Sequence, residues 1–150
     1  INFISIASYD NFHFKMIMES IKNKNNIFVE KPLCQNFNQL KKIRNILNKK
    51  NHKYLKISSN MLLRNHPKFI KIVKLINSGS IGKVYHIEGE YNYGRFHKLT
   101  KGWRGKIPFY SVTLGGGIHI IDLFQWIVCS KVQRVIGLGN KINSTLEIEY

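Results

Sequence analysis

Acidic side chains are scarce in this 150-residue chain: 8 Asp and Glu stand against 24 Lys and Arg, for a formal charge of +16 and a pI near 10.0. A balance so basic raises nucleic acid as a partner. The cations, however, run through every segment beside abundant asparagine and isoleucine, the company that AT-rich codons impose. The densest patch, Lys41, Lys42, Arg44, Lys49, Lys50 and Lys53, shows neither the aromatic-glycine alternation of an RNA-binding sheet nor zinc-finger spacing. It reads as a solvated helix face, and no specific nucleic-acid site is expected. Cysteine is limited to Cys34 and Cys129. That excludes a disulfide framework or a CxxC pair and points to a reduced, cytoplasmic setting. His52, His66, His86 and His97 lack ligand spacing, so no metal site is expected. No apolar run reaches the length of a membrane span, no basic-then-apolar leader is visible, and no membrane partner is expected. Internal repeats and low-complexity stretches are missing too. What is plentiful is core-forming material, 43% hydrophobic and 12% aromatic, which argues against disorder.

The periodicities give an order of elements. Phe3 to Ser8 is a short apolar run closed by polar residues, the pattern of a strand buried on both faces. Phe14, Ile17, Met18 and Ile21 then recur at helical spacing, with Asp10 or Asn11 available as a cap. Residues 26–30 form a second strand, so residues 3–30 make a βαβ unit with parallel strands. Asn36 can cap a helix carrying Leu40, Ile43 and Leu47, and residues 54–59 read as a third strand. These sixty residues form the later part of a doubly wound parallel sheet in an α/β fold. From about Asn60 the pattern changes. Phe69, Ile72, Val73 and Ile76 mark a helix ending at Ser78-Gly79, and a long strand is predicted from Val84 to Tyr93. Residues 94–116 read as a long loop, 118–128 as a buried helix apolar nearly all round, and 132–138 and 145–150 as strands. The chain starts at Ile1 inside an apolar run and without methionine, and it ends in what reads as an unfinished sheet. It is expected to be part of a longer protein.

Two motifs carry polar chemistry. Val29-Glu30-Lys31-Pro32 places a carboxylate and an ammonium at the carboxyl edge of the parallel sheet, where open α/β sheets bind their ligands. Taken alone, Lys31 reads as a surface lysine at a strand end. Gly115-Gly116-Gly117-Ile118-His119-Ile120-Ile121-Asp122 puts an imidazole at a helix start, with Asp122 one turn later on the same face. A catalytic histidine and a core histidine are both open readings of His119. The glycine triplet lacks the Lys-Ser/Thr of a phosphate loop and reads as a place of close backbone packing against a cofactor.

Ser8-Tyr9-Asp10-Asn11-Phe12-His13, Val29 to Leu33, Arg64 to Pro67, Ser80 to Val84, Trp103-Arg104 and Gly115 to Asp122, in that order, resemble the motifs of the glucose-fructose oxidoreductase and inositol dehydrogenase (Gfo/Idh/MocA) family. The resemblance covers nearly the whole chain. It implies that residues 1–60 are the later part of an NAD(P)-binding Rossmann domain. Residues 61–150 are then part of an α+β domain for substrate binding and oligomer contact, built on an open, mainly antiparallel sheet. The Gly-rich turn that opens such a Rossmann domain is not among these residues, so alone they are expected to bind cofactor poorly.

The resemblance also implies roles. Lys31 would be the active lysine, stabilising charge on the reacting oxygen, with a cis bond to Pro32 aiming it. His119 would take the hydroxyl proton, and Asp122 would orient its ring or contact a sugar hydroxyl. Ser8, Asp10, His13, Glu30, Lys31, Pro32, Trp103 and Arg104 would line the cofactor, NAD or NADP, and Arg64 would hold an anionic group of the substrate. Gly115 departs from the family, many of whose members have an acidic residue four positions before the histidine. The expected function is hydride transfer between nicotinamide and a secondary hydroxyl or carbonyl of a sugar, cyclitol or derivative, in a homo-oligomer assembled through the second sheet. A basic nucleic-acid-binding module and a catalytically silent nicotinamide-binding regulator are the alternatives.

Overall fold

A parallel sheet of three short strands organises the first sixty residues: β1 (Phe3–Ile6), β2 (Asn26–Val29) and β3 (Ile57–Ser59), side by side in that order. The computed structural model describes residues 2–95, 97–107, 110 and 112–139 and divides into two compact units, Ile1–Asn60 and Met61–Tyr150. In the first unit the register stacks Ile4, Ile27 and Ile57 in one row and Ile6, Val29 and Ser59 in the next. With a side-chain period of two, these rows share one face. Against that face pack α1 (Asp10–Lys22), through Ile17 and Ile21, and α2 (Phe37–Leu47), through Ile43. The expectation that the first strand is buried on both faces needs correction. Both helices lie on one side, and on the other Ser5 is exposed and Phe3 is 58% exposed.

The caps follow the sequence in part. Asn36 Oδ1 accepts from the Gln39 amide at 3.0 Å and fixes the start of α2. At α1 the cap position is Tyr9, without a side-chain cap bond, and Asp10 is instead the first helical residue, where a carboxylate complements the helix dipole. The strands are knitted further by Asn26, whose Oδ1 accepts from the Lys56 amide at 2.8 Å while its Nδ2 donates to the Asn2 carbonyl at 3.1 Å. At the carboxyl edge the ladder continues past the strands, Glu30 N bonding Ile6 O and Asn60 N bonding Val29 O, both at 2.9 Å. The Lys31–Pro32 peptide bond is cis.

The second unit opens with a 3-10 turn, Leu62–Asn65, and α3 (Pro67–Asn77), which has Pro67 in its first turn and gives way to Gly79 at φ +73°. Where a long loop is expected, α4 (His97–Thr100), a 3-10 turn (Arg104–Lys106) and a π-helical turn (Thr113–Gly117) lead into α5 (Ile118–Val128). α5 packs on α3 and buries Leu123, but Ile121 and Val128 stay more than two-fifths exposed, so it is not buried all round. The strands expected at 84–93 and 132–138 form no ladder among the described residues, and 145–150 lie outside them. A strand exists only through its ladder partner, and apolar alternation cannot supply one. Residues near Gly89 instead pass directly over α5, where a Cβ would meet Phe124 Cζ at 2.6 Å and Ile120 Cδ1 at 2.8 Å.

Candidate active site

In the first unit the polar groups gather at the carboxyl edge of the sheet because β2 and β3 each hand over to a polar residue at the same level, and Ser8 follows β1 after Ala7. Glu30 follows β2 and Asn60 follows β3, and Asn60 Nδ2 donates to Glu30 Oε1 at 2.8 Å. That bond fixes the carboxylate beside the half-buried Lys31. Ser8, after β1, turns its hydroxyl to the Tyr9 carbonyl at 3.3 Å. His13, the fourth residue of α1, is fully buried, with Nδ1 2.7 Å from the Pro32 carbonyl oxygen and Nε2 3.1 Å from that of Ser8. Ser8, His13, Glu30, Lys31 and Pro32 are thus brought together, with Asp10 at the adjoining helix start. Asn60 escaped the sequence reading, although its place one residue past the third strand, level with Glu30, was the available signal.

In the second unit Arg64 and Asp122 meet side-on, Nε to Oδ2 and Nη2 to Oδ1 both at 2.8 Å. The guanidinium also lies over Trp126 of α5, 5.6 Å from the ring centre. The hydrogen bonds that Arg64 donates to the Asp122 carboxylate raise its pKa above the ordinary arginine value. The planar fork suited to a substrate anion is therefore filled by a carboxylate of this chain, and the Asp122 carboxylate faces Arg64. Trp103 and Arg104 do form a pair, the guanidinium 4.4 Å from the indole centre, and Arg104 Nε donates to the Tyr110 hydroxyl at 3.2 Å. Tyr110, which no motif singled out, meets Trp103 edge-on. His119 is half-buried in the first turn of α5.

The glycine triplet has a local explanation. A Cβ on Gly115 would overlap the Tyr110 hydroxyl, and one on Gly116 would meet Tyr91 Cε1 at 2.6 Å. From sequence, the group packed against this backbone is expected to be a cofactor; among the described residues the space beside Gly115 and Gly116 is taken by two tyrosines of the same unit.

Comparison with known proteins decides the family. The sequence profile described as the GFO/IDH/MocA C-terminal domain matches residues 69–149, more than half of the chain, and that of the oxidoreductase family with an NAD-binding Rossmann fold matches residues 1–57. The chain belongs to the GFO/IDH/MocA family. Among similar proteins, the inositol 2-dehydrogenase of Rubrobacter xylanophilus is 22% identical over 91% of this chain and 37% of its own length. The crystal structure of myo-inositol 2-dehydrogenase from Lactobacillus plantarum superposes with a TM-score of 0.73 at 25% identity, covering 97% of this chain and 42% of that one. An inositol dehydrogenase homolog from Azotobacter vinelandii, solved with NADH and myo-inositol, gives a TM-score of 0.71 at 20% identity over 86% of this chain and 33% of that one. This GFO/IDH/MocA chain therefore spans well under half the length of the relatives it matches.

Proposed function

We propose that the protein to which this chain belongs is an NAD-dependent oxidoreductase that moves hydride between nicotinamide and a secondary hydroxyl of a cyclitol, sugar or derivative. The observation that carries this is the ordered carboxyl edge of the parallel sheet, where Lys31 stands next to a carboxylate held by Asn60, in a chain matching an NAD-binding Rossmann family. Inositol as the substrate of similar dehydrogenases favours a cyclitol.

The residues at this edge fit a nicotinamide nucleotide: Ser8 follows β1, Asp10 opens α1, and Glu30 and Lys31 follow β2, offering hydroxyl, carboxylate and ammonium groups just past the strands. When bound, the nicotinamide supplies the hydride acceptor or donor. Lys31 hydrogen-bonds the substrate oxygen and stabilises the negative charge that grows on it as the proton leaves. Glu30, fixed by Asn60, holds the backbone just before Lys31 in place. His119 accepts the hydroxyl proton in the oxidative direction and returns it in the reductive one. Arg104, spread on Trp103, offers its remaining N–H groups to an anionic or hydroxyl oxygen.

The test is reduction of NAD by the full-length protein with myo-inositol, scyllo-inositol and simple sugars, followed by absorbance of the reduced nicotinamide. Turnover that falls roughly 10²-fold or more in Lys31→Met, with NAD affinity little changed, is the expected outcome. Undiminished turnover in that variant overturns the role of Lys31. NAD binding without turnover on any polyol favours the regulator instead.

A further inference from the structure

We propose that His13 is a positioning residue that clamps the Lys31-Pro32 segment to the turn between β1 and α1. The ring has no accessible surface, and each nitrogen faces a backbone carbonyl, Pro32 O at 2.7 Å from Nδ1 and Ser8 O at 3.1 Å from Nε2. Both partners can only accept, and a neutral imidazole carries one N–H. The shorter contact assigns that proton to Nδ1, which donates to Pro32. Proline has no N–H of its own to anchor it, so its carbonyl is the backbone group through which this residue is tied. The other end of the tie is rigid. His13, Ile17 and Ile21 follow one another at four-residue spacing along α1, and the two isoleucines are buried in the core against the sheet. Core, helix, imidazole and Pro32 thus form a continuous mechanical path ending one residue from Lys31.

This assigns His13 a different part from that of a residue lining the cofactor. It reaches a ligand only through the segment its Nδ1–H holds, the one bearing Lys31, and through the start of α1 to which its own backbone belongs. Its consequence for turnover rests on the role proposed above for Lys31, whereas the clamp itself stands on the geometry.

Cys34 reports the clamp directly. It lies two residues past Pro32, half-buried, and burial raises its thiol pKa, whereas Cys129 is exposed. Pulse labelling of the full-length protein with N-ethylmaleimide, resolved by peptide mass, measures both thiols, with Cys129 as the internal reference. Loss of a buried hydrogen bond in His13→Ala should speed Cys34 labelling roughly 10-fold with Cys129 unchanged. Asparagine carries its amide nitrogen where Nδ1 stood, glutamine where Nε2 stood. His13→Asn should therefore restore protection of Cys34 and His13→Gln should not, a contrast that also decides the matter if the alanine variant fails to fold. Equal protection in the alanine and wild-type proteins, or rescue by glutamine as good as by asparagine, overturns the clamp. The same variants separate the two proposals by kinetics. A fall in kcat in His13→Gln, with KM for NAD steady and kcat kept in His13→Asn, links the clamp to Lys31. If labelling follows the clamp while kcat stays constant, the clamp stands and its link to turnover through Lys31 falls.

Discussion

Gly115 shows how much one missing methyl group can decide. The Tyr110 ring that occupies its Cβ space is held by an edge-on contact with Trp103 and by the Arg104 hydrogen bond, so it has little room to give way. Gly115→Ala should therefore destabilise the second unit by about 1–3 kcal/mol, the usual cost of overpacking. Thermal unfolding measures this, and adding Tyr110→Ala should make the glycine substitution nearly neutral; two independent, additive losses would show that the ring does not fill that space. The acidic side chain expected here from the family pattern would meet the same obstacle, since a phenol stands where its methylene would begin. At Lys31 and His119 the corresponding expectation is kinetic. His119→Ala in the full-length protein should lower kcat by about 10² to 10⁴, as for the loss of the proposed general base. A double variant scarcely worse than the poorer single one would show that both residues serve one proton transfer, and multiplicative losses would show separate roles.

Between elements, the Arg64–Asp122 pair fastens the 3-10 turn before α3 to α5. Its arginine side chain is 46% exposed, so solvent screening limits the ionic part to the surface-pair range of about 0.2–1 kcal/mol. Geometry adds to that, because both nitrogens bond and the plane rests on Trp126. Arg64→Lys should accordingly lose nearly as much stability as Arg64→Ala, since an ammonium keeps the charge but neither the fork nor the flat contact. A lysine variant as stable as the wild type would reduce the pair to simple charge attraction. The arginine pKa is raised on folding, so its contribution is complete below the ordinary arginine value and lost only as pH climbs through the raised one. The deficit of Arg64→Ala measured by denaturant should therefore stay flat from about pH 7 to 10. This pair was not legible as a pair, because 58 positions separate its members and neither shares a local period with the other. Legibility followed range throughout. The α1 stripe, the Asn36 cap, the Gly79 terminus and the Glu30-Lys31 edge rest on neighbours within a turn or at a strand end, and all four are present. His13 lies on the same stripe as Ile17 but was hidden by its polarity, since its burial depends on carbonyls supplied by other segments. The contacts of Tyr110 with Gly115 and of Gly89 with α5 need the folded chain.

For the whole molecule the unresolved quantity is a charge of +16, which fits an oxidoreductase less obviously than a nucleic-acid-binding module. Its placement bears on the choice. Lys41, Lys42, Arg44, Lys49, Lys50 and Lys53 are all exposed, spread along α2 and the 3-10 turn that follows it, and the exposed rings near them, Phe37 and Tyr54, stand at the two ends of the run rather than between its cations as a continuous stacking platform for bases. Exposed lysines without such a platform attract phosphate as mobile point charges, and that attraction weakens as salt rises because counterion release drives it. The full-length protein should thus retain nucleic acid weakly in low salt, without preference among sequences or between single and double strands, and should release it near physiological ionic strength. Fluorescence anisotropy with labelled oligonucleotides across a salt series measures both properties. A shallow salt dependence with a preferred sequence would reveal contacts to bases, and would give this basic surface a function of its own beside hydride transfer. A steep dependence without preference would leave the charge as a solvated surface around a family fold whose proposed chemistry sits at the edge of its parallel sheet.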